Sequence, residues 1–143
     1  MKLIKMNQCK FYVNEEKRTV VCKVPNTRYL LIDFLSGEAD FKGFNPITGA
    51  NHSLFANLTM PSTFTGKAVC NPEDQWNEEL GRKIAFNRAV QKVYASFYKR
   101  AQAFTMNVTL NVQNMIDTLN NFGDKVDLDL AERDADIGNI LGE

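Results

Sequence analysis

The 143-residue sequence contains few of the residues from which metal and nucleophilic sites are usually built. It has one histidine, His52, and three cysteines, Cys9, Cys22 and Cys70, which form no CxxC pair. Widely spaced cysteines in odd number are typical of reduced thiols in a reducing compartment, and the clustered ligands of a tetrahedral zinc site are missing. The sequence therefore predicts no disulfide framework, no metal site and no cofactor.

Net charge and long apolar runs are missing as well. Lys and Arg number 17, and Asp and Glu also number 17. A chain with this balance lacks the bulk positive field that nonspecific nucleic-acid binding usually uses, although a local basic patch is compatible with it. No apolar run approaches the roughly 20 residues of a membrane span, and the N-terminus is charged too early for a signal peptide. We expect a cytoplasmic protein that has no membrane partner and is mature from Met1.

The composition is that of one globular domain, with 44% apolar residues and ten phenylalanines. KFYVNEEKRTVVCKV predicts a β-hairpin with a polar tip. A tight two-glutamate loop would place Cys9 opposite Cys22 and Phe11 opposite Val20, so that the two thiols pair in the core. The predicted core face comprises Cys9, Phe11, Val13, Val20, Cys22 and Val24, and the outer face Lys10, Tyr12, Thr19 and Lys23.

Further strands and a long connection follow the hairpin. TRYLLIDFL predicts a third strand, and TFTGKAVC predicts the last one, in which Gly66 indicates a bulge or a close backbone approach. Residues 36–62 show no sustained period but contain several aromatic residues, which is unusual for a solvated linker. We interpret this segment as a lid over a site or as an arm that packs on a partner subunit.

The C-terminal half predicts helices. From Glu78 onward, apolar residues recur every three or four positions on one face of a long helix. A second, shorter helix is predicted over 111–121, closing at Gly123, and an acidic tail over 123–143. The fold class is therefore α+β: an N-terminal antiparallel sheet of three to four strands, packed on a long C-terminal helix plus a second shorter helix, in a single domain over 1–122.

CNPEDQWNEELG, which joins the last strand to the long helix, has two interpretations. Its carboxylates could serve hydrolysis, but Cys70 has no base nearby in sequence, and capping explains the residue types without a missing partner. On that interpretation Asp74 or Asn77 caps the helix, while Glu78 and Glu79 suit its positive N-terminus. Capping does not explain Trp76, which is either an anchor on the core or a stacking surface for a planar ligand.

A basic stripe is predicted on the polar side of the long helix. Arg88, Lys92 and Lys99 fall within one narrow sector, because positions four and eleven apart nearly align at 3.6 residues per turn. Such a stripe is either a solvated polar face or a surface for phosphate or for an acidic partner. The acidic tail is a second candidate partner for it within an oligomer.

One motif spans the last strand and the long helix: G-x-A-x-x-x-P-x-D followed by G-x-x-x-A-x-x-R-A. Over about 10–101, this motif resembles that of small bacterial and phage β-β-β-α domains, many of which have no assigned role. Residues 27–62 and the acidic tail lie outside the resemblance. The matching residues are Gly66, Ala68, Pro72, Asp74, Gly81, Ala85, Arg88 and Ala89.

In size and general plan the chain also resembles the Thoeris anti-defence sponges of phages. These are non-enzymatic cytosolic oligomers that sequester cyclic ADP-ribose isomers between an aromatic ring, an arginine and polar donors. The resemblance implies a ligand site built from rings, guanidinium groups and amides, with arginine and helix N-terminal amides on the phosphates. The residues of this chain that supply such chemistry are Arg28, Asn71, Trp76, Asn77, Phe86, Arg88, Lys92 and Arg100.

We therefore expect a phage-type counter-defence protein, not an enzyme, that sequesters a small cyclic nucleotide signal as a homo-oligomer. The alternative is a double-stranded nucleic-acid-binding or protein-binding inhibitor module, of the anti-CRISPR kind, that uses the basic face of the long helix. An inhibitor whose acidic tail mimics nucleic acid and a hydrolase are the remaining hypotheses.

Overall fold

The computed structural model describes residues 4–36 and 57–142. The chain forms two compact units, Met1–Phe104 and Thr105–Glu143. Most of the predicted lid or arm, 37–56, lies outside the described residues. The end of that segment is fixed, because Leu58 and Met60 are buried and Thr27 Oγ1 donates to the Pro61 carbonyl at 2.6 Å.

A three-stranded antiparallel sheet forms the framework of the first unit. Its strands are β1 (Lys10–Asn14), β2 (Thr19–Pro25) and β3 (Thr63–Val69), in the order β1-β2-β3. A short 3-10 helix, Met6–Gln8, precedes them. The predicted α+β class, with three to four antiparallel strands and a long C-terminal helix, is confirmed.

The predicted hairpin register is wrong by two residues. Phe11 pairs with Cys22, and Asn14 pairs with Thr19. The reason is a longer turn, in which Asn14 Oδ1 accepts from the Lys17 amide at 2.9 Å and Arg18 adopts a left-handed φ of 50°. Because side chains alternate with a period of two, a two-residue shift leaves both predicted faces unchanged.

The predicted strand at TRYLLIDFL is a helix, α1 (Leu30–Ser36). Asn26 follows β2 with φ of 59°, and this left-handed residue turns the chain out of the sheet. A short apolar run fits either a buried strand or a buried helix, so its periodicity did not decide between them. This helix, which buries Leu31, is the second, shorter helix of the fold.

The long helix, α2 (Glu78–Leu141), packs on the sheet through small residues at its start. Ala85 and Ala89 are fully buried, and a Cβ added to Gly66 of β3 would lie 2.1 Å from the Ala85 carbonyl oxygen. A Cβ added to Gly81 would lie 2.8 Å from the Val20 side chain. Gly66 is therefore the predicted close backbone approach.

The same helix corrects the prediction for the C-terminal third. Residues 111–121 belong to α2, which continues through Gly123 to Leu141. Gly123 keeps helical geometry, and among the glycines that the structure describes the one in left-handed conformation is Gly142, with φ of 75°. Apolar residues recur past Gly123, as described below, so the acidic segment is an amphipathic helix and not an irregular tail.

The core lies between the sheet and the first turns of α2. The predicted core thiols belong to it, with Cys22 fully buried and Cys9 half-buried. Burial, and then the neighbouring Cys9 thiol, raise the pKa of Cys22 to about 12, so this thiol stays protonated at neutral pH. The remaining buried apolar residues are Ile4, Val20, Val24, Leu31, Leu58, Met60, Ala68, Ala85, Ala89 and Val93.

Candidate nucleic-acid interface

The joint between β3 and α2 is held together by its own polar groups. Asn77 is the helix N-cap, since its Oδ1 accepts from the Leu80 amide at 3.0 Å. Arg18 crosses from the hairpin and donates through Nη2 to the Cys70 thiol at 3.1 Å, to the Asn71 carbonyl at 2.9 Å and to the Asp74 carbonyl. The capping interpretation of this joint is confirmed for Asn77. Arg18 is a structural residue that the sequence analysis missed.

A shallow pocket of about 180 Å³ opens beside this joint. Trp76 and Asn77 line it, together with apolar side chains such as Leu80 and Ile84. Sites for drug-sized ligands usually measure about 300–1,000 Å³, so this pocket has room for part of a nucleotide at most. Of the eight predicted ligand residues, Trp76 and Asn77 are the two that line it.

Two basic residues of the predicted stripe on α2, Arg88 and Lys92, reach the outer edge of β3 with their side chains. Arg88 Nη1 donates to the Lys67 carbonyl, and Lys92 Nζ donates to the Thr65 carbonyl, each at 2.7 Å. None of the described strands lies beyond β3, and these two side chains satisfy carbonyls that an edge strand otherwise leaves unpaired. Part of the predicted stripe therefore covers a sheet edge and carries its charge there.

The other predicted ligand residues are dispersed. Phe86 packs against the core, and the exposed Arg28 guanidinium lies 5.6 Å from the Tyr29 ring centroid. Asn71 is exposed and accepts from Arg18 through its carbonyl. Arg100 is half-buried on α2. The structure does not assemble the eight into one pocket.

The outer face of the sheet carries a different constellation, which we call the outer sheet face. Lys10 is the direct cross-strand partner of Lys23, and Tyr12 lies in the next row, opposite Val21. Lys67 completes the Tyr12 row on β3. Tyr12 is 56% exposed, which is high for a tyrosine and leaves its ring open to a stacking partner. The described strands place these residues on the outer sheet face: Lys10, Tyr12, Asn14, Thr19, Val21, Lys23, Pro25, Thr63, Thr65, Lys67 and Val69.

The charges of this face are uncompensated within the described strands, since none of the outer-face residues is acidic. Like charges directly opposite each other destabilise a sheet. Lysines on edge strands often serve to block strand-to-strand aggregation, which would account for Lys10 and Lys67. Lys23 lies on the central strand, where that explanation fails. The Lys10–Lys23 pair is therefore a candidate contact for an anionic partner.

Charge is also divided unevenly along the chain. The unit Met1–Phe104 contains 15 Lys and Arg and nine Asp and Glu, a net charge of +6. The unit Thr105–Glu143 contains two Lys and Arg and eight Asp and Glu, a net charge of −6. The zero net charge of the chain is therefore the sum of a basic unit and an acidic unit of equal charge. It does not argue against an anionic partner for the basic unit.

The motif shared by β3 and α2 has a structural explanation. Gly66, Gly81, Ala85 and Ala89 allow the strand and helix backbones to approach closely, and Arg88 ties the helix to the strand edge. The motif thus describes how the sheet packs on the helix. It does not assign a ligand, and the resemblance built on it stays a prediction.

Neither a metal-binding cluster nor a membrane-spanning helix is found among the described residues. No group of three or more His, Cys, Asp or Glu side chains there is placed to hold a metal ion. None of the described helices is both long and apolar enough to cross a membrane. Comparisons of the chain with protein-family models, with curated proteins and with solved structures found no match.

Proposed function

We propose that the protein is a non-enzymatic module that binds single-stranded nucleic acid on the outer sheet face. The proposal rests on the cross-strand pair of Lys10 and Lys23. No carboxylate lies beside this pair on the outer sheet face of the described strands, and the exposed Tyr12 ring lies in the next row. Lysines that neutralise phosphates release condensed counterions, which is the main source of affinity for a nucleic-acid backbone. An aromatic ring among them adds a stacking surface for a base.

A single strand suits this surface better than a duplex does. Bases of a duplex are stacked on one another, so an aromatic side chain that lies flat on a sheet reaches them only when the strand is unpaired. The face extends across three strands, and Lys67 lies in the same row as Tyr12. A strand that crosses the sheet therefore meets the Tyr12 ring on β1 and Lys67 on β3. Lys10 and Lys23 lie in the neighbouring row.

Arg88 and Lys92 extend the basic surface past the edge of the sheet. Each is held in place by one hydrogen bond to a β3 carbonyl, and the guanidinium of Arg88 has further N–H donors. Anchored cations lose less side-chain entropy on binding than free ones do. This arrangement gives a role to part of the stripe that the sequence indicated.

The direct test is fluorescence anisotropy of a labelled 20-nucleotide strand titrated with the whole protein at several salt concentrations. With about five phosphates neutralised, the slope of log affinity against log salt should be about −3.5, and affinity should fall roughly 100-fold between 50 and 200 mM salt. A duplex of equal length should bind more weakly. Absence of binding at 50 mM salt would refute the proposal.

Tyr12→Ala is expected to reduce affinity for the strand by about tenfold, because stacking one base on a ring contributes about 1–3 kcal/mol. The salt slope should not change, since no cation is removed. Tyr12→Phe keeps the ring and should bind like the wild type. Equal losses in both variants, or no loss in either, would show that the ring does not stack.

Sequestration of a small cyclic nucleotide is the second candidate function, favoured by Trp76 and Asn77 on one pocket. Trp76 is half-buried against the core and turns part of its surface to the opening. The pocket is small, and the Asn77 side-chain oxygen is already occupied by the helix cap. This geometry supports the phage-sponge hypothesis less well than the outer sheet face supports nucleic-acid binding.

Thermal denaturation separates the two candidates. A ligand at 100 times its dissociation constant raises the free energy of unfolding by about 2.7 kcal/mol, which shifts the melting temperature by several degrees. If cyclic ADP-ribose isomers bind beside Trp76, they should stabilise the wild type and leave Trp76→Ala unaffected. If nucleic acid is the ligand, the cyclic nucleotides should have no effect on either protein.

A further inference from the structure

The unit Thr105–Glu143 presents an apolar surface that is separate in sequence from the outer sheet face. On the part of α2 after Phe104, apolar residues recur three, four or seven positions apart and therefore fall on one side of the helix. From Thr109 to Leu141 every residue is exposed except the two glycines. We call this side the apolar seam; it comprises Val108, Val112, Met115, Leu119, Phe122, Val126, Leu130, Ile137 and Leu141.

The helix that carries the seam has a composition that does not sustain an isolated helix. Between Thr105 and Leu141 there are six asparagines, six aspartates, three threonines and two glycines. These residues are all weaker helix formers than alanine, and most of the stability of helices in water comes from packing an apolar face. Local support is limited to pairs such as the exposed Arg133–Asp129 ion pair. The seam must therefore be covered for the helix to persist.

Charge along the helix discriminates between the two directions in which a second copy can cover the seam. The stretch from Thr105 to Ile116 contains no charged residue, whereas 124–136 contains six acidic and two basic residues. Two parallel copies would place the acidic stretches side by side, where like charges repel. Two antiparallel copies that cross near residue 120 place each acidic stretch beside the uncharged stretch of the other. The seam is apolar on both sides of that crossing.

We propose that two copies of the chain associate through the apolar seam in antiparallel orientation. The contact is isologous: Leu119 of each copy lies beside Phe122 of the other, and Val112 lies near Leu130. An antiparallel pair also leaves the acidic side chains at the rim, exposed to water. This association is independent of the outer sheet face and goes beyond the proposed function.

Sedimentation equilibrium of the whole protein measures the association. The wild type should have twice the 16.2 kDa monomer mass at micromolar concentration. Leu119→Asp with Phe122→Asp should sediment as a monomer and lose the circular-dichroism signal of the C-terminal helix. Leu128→Asp, which changes an equally exposed leucine on the opposite side, should remain a dimer. A monomeric wild type at 100 μM, or equal disruption by Leu128→Asp, would overturn the proposal.

Cysteine crosslinking tests the orientation separately. In an antiparallel pair, Val112→Cys and Leu130→Cys proteins should crosslink to each other when mixed, and neither should crosslink to itself. In a parallel pair each variant crosslinks to itself and the mixed product is absent. Mass spectrometry of the linked peptides distinguishes these products from links through the native cysteines. Self-linked products from both variants would refute the antiparallel arrangement.

Discussion

Replacing Lys10, Lys23 and Lys67 together by glutamine is expected to weaken binding of a 20-nucleotide strand roughly 100-fold at 50 mM salt, because three neutralised phosphates are lost. The salt slope should become shallower by about 2, since each phosphate contributes about 0.7 to it. The folded protein should be no less stable, because the substitution removes a like-charge pair, Lys10 opposite Lys23, from the sheet. Anisotropy titrations and thermal denaturation measure the two effects independently.

A matched control variant removes the same number of positive charges from lysines outside the outer sheet face. Lys17, Lys83 and Lys99 lie on the hairpin turn and on α2, outside the outer sheet face. Their replacement by glutamine should lower affinity only slightly, through the longer-range field. If this control loses as much affinity as the sheet variant, binding is nonspecific attraction to the basic unit. The assignment of the site to the sheet would then be wrong.

Gly66→Ala is expected to destabilise the fold by about 3 kcal/mol, at the upper end of the range for overpacking a core. The added methyl group would meet the Ala85 carbonyl at 2.1 Å and the Ala89 amide nitrogen at 2.4 Å. Both are backbone atoms of α2, so no side chain can rotate away and the helix itself must shift from the sheet. Urea denaturation followed by circular dichroism measures the loss.

Gly138→Ala provides the opposite expectation in the same helix. Among the described residues nothing lies within 4 Å of a Cβ at this position, and its backbone is helical. Alanine should stabilise the helix there by about 0.5–1 kcal/mol. If Gly66→Ala were as stable as the wild type, the close packing of β3 on α2 would be wrong.

Local chemistry made parts of the fold predictable from sequence. The hairpin alternation predicted the sides of the sheet correctly despite a register error, because two residues restore the same side. Val13, predicted in the core face, is exposed near the end of β1. Asn77 was predictable as a cap, and Gly66 as a close approach, since few residue types serve in those positions. TRYLLIDFL was not predictable, because a left-handed Asn26 decides whether the chain remains in the sheet.

The candidate site was harder to predict for a physical reason. The hairpin alternation predicts Lys10, Tyr12 and Lys23 on the outer face, but Lys67 joins them only through the pairing of β3 with β2. Arg88 and Lys92 were identified as a stripe, whereas their contact with the β3 edge depends on how the helix docks. Charge summed over the chain concealed the division into a basic unit and an acidic helix. A signal was available in β1, where Lys10 and Tyr12 are two residues apart and therefore share one face of the strand.

The measurement that tests the account most directly is photocrosslinking of a bromouridine-substituted single strand to the whole protein, with the linked peptide identified by mass spectrometry. We expect Tyr12, in the tryptic peptide after Lys10, to be the main crosslinked residue. Competition with unlabelled single strand should remove the product, and the Lys10, Lys23 and Lys67 variant should not form it. A crosslink at Trp76, or on α2 away from the sheet, would contradict the assignment of the outer sheet face.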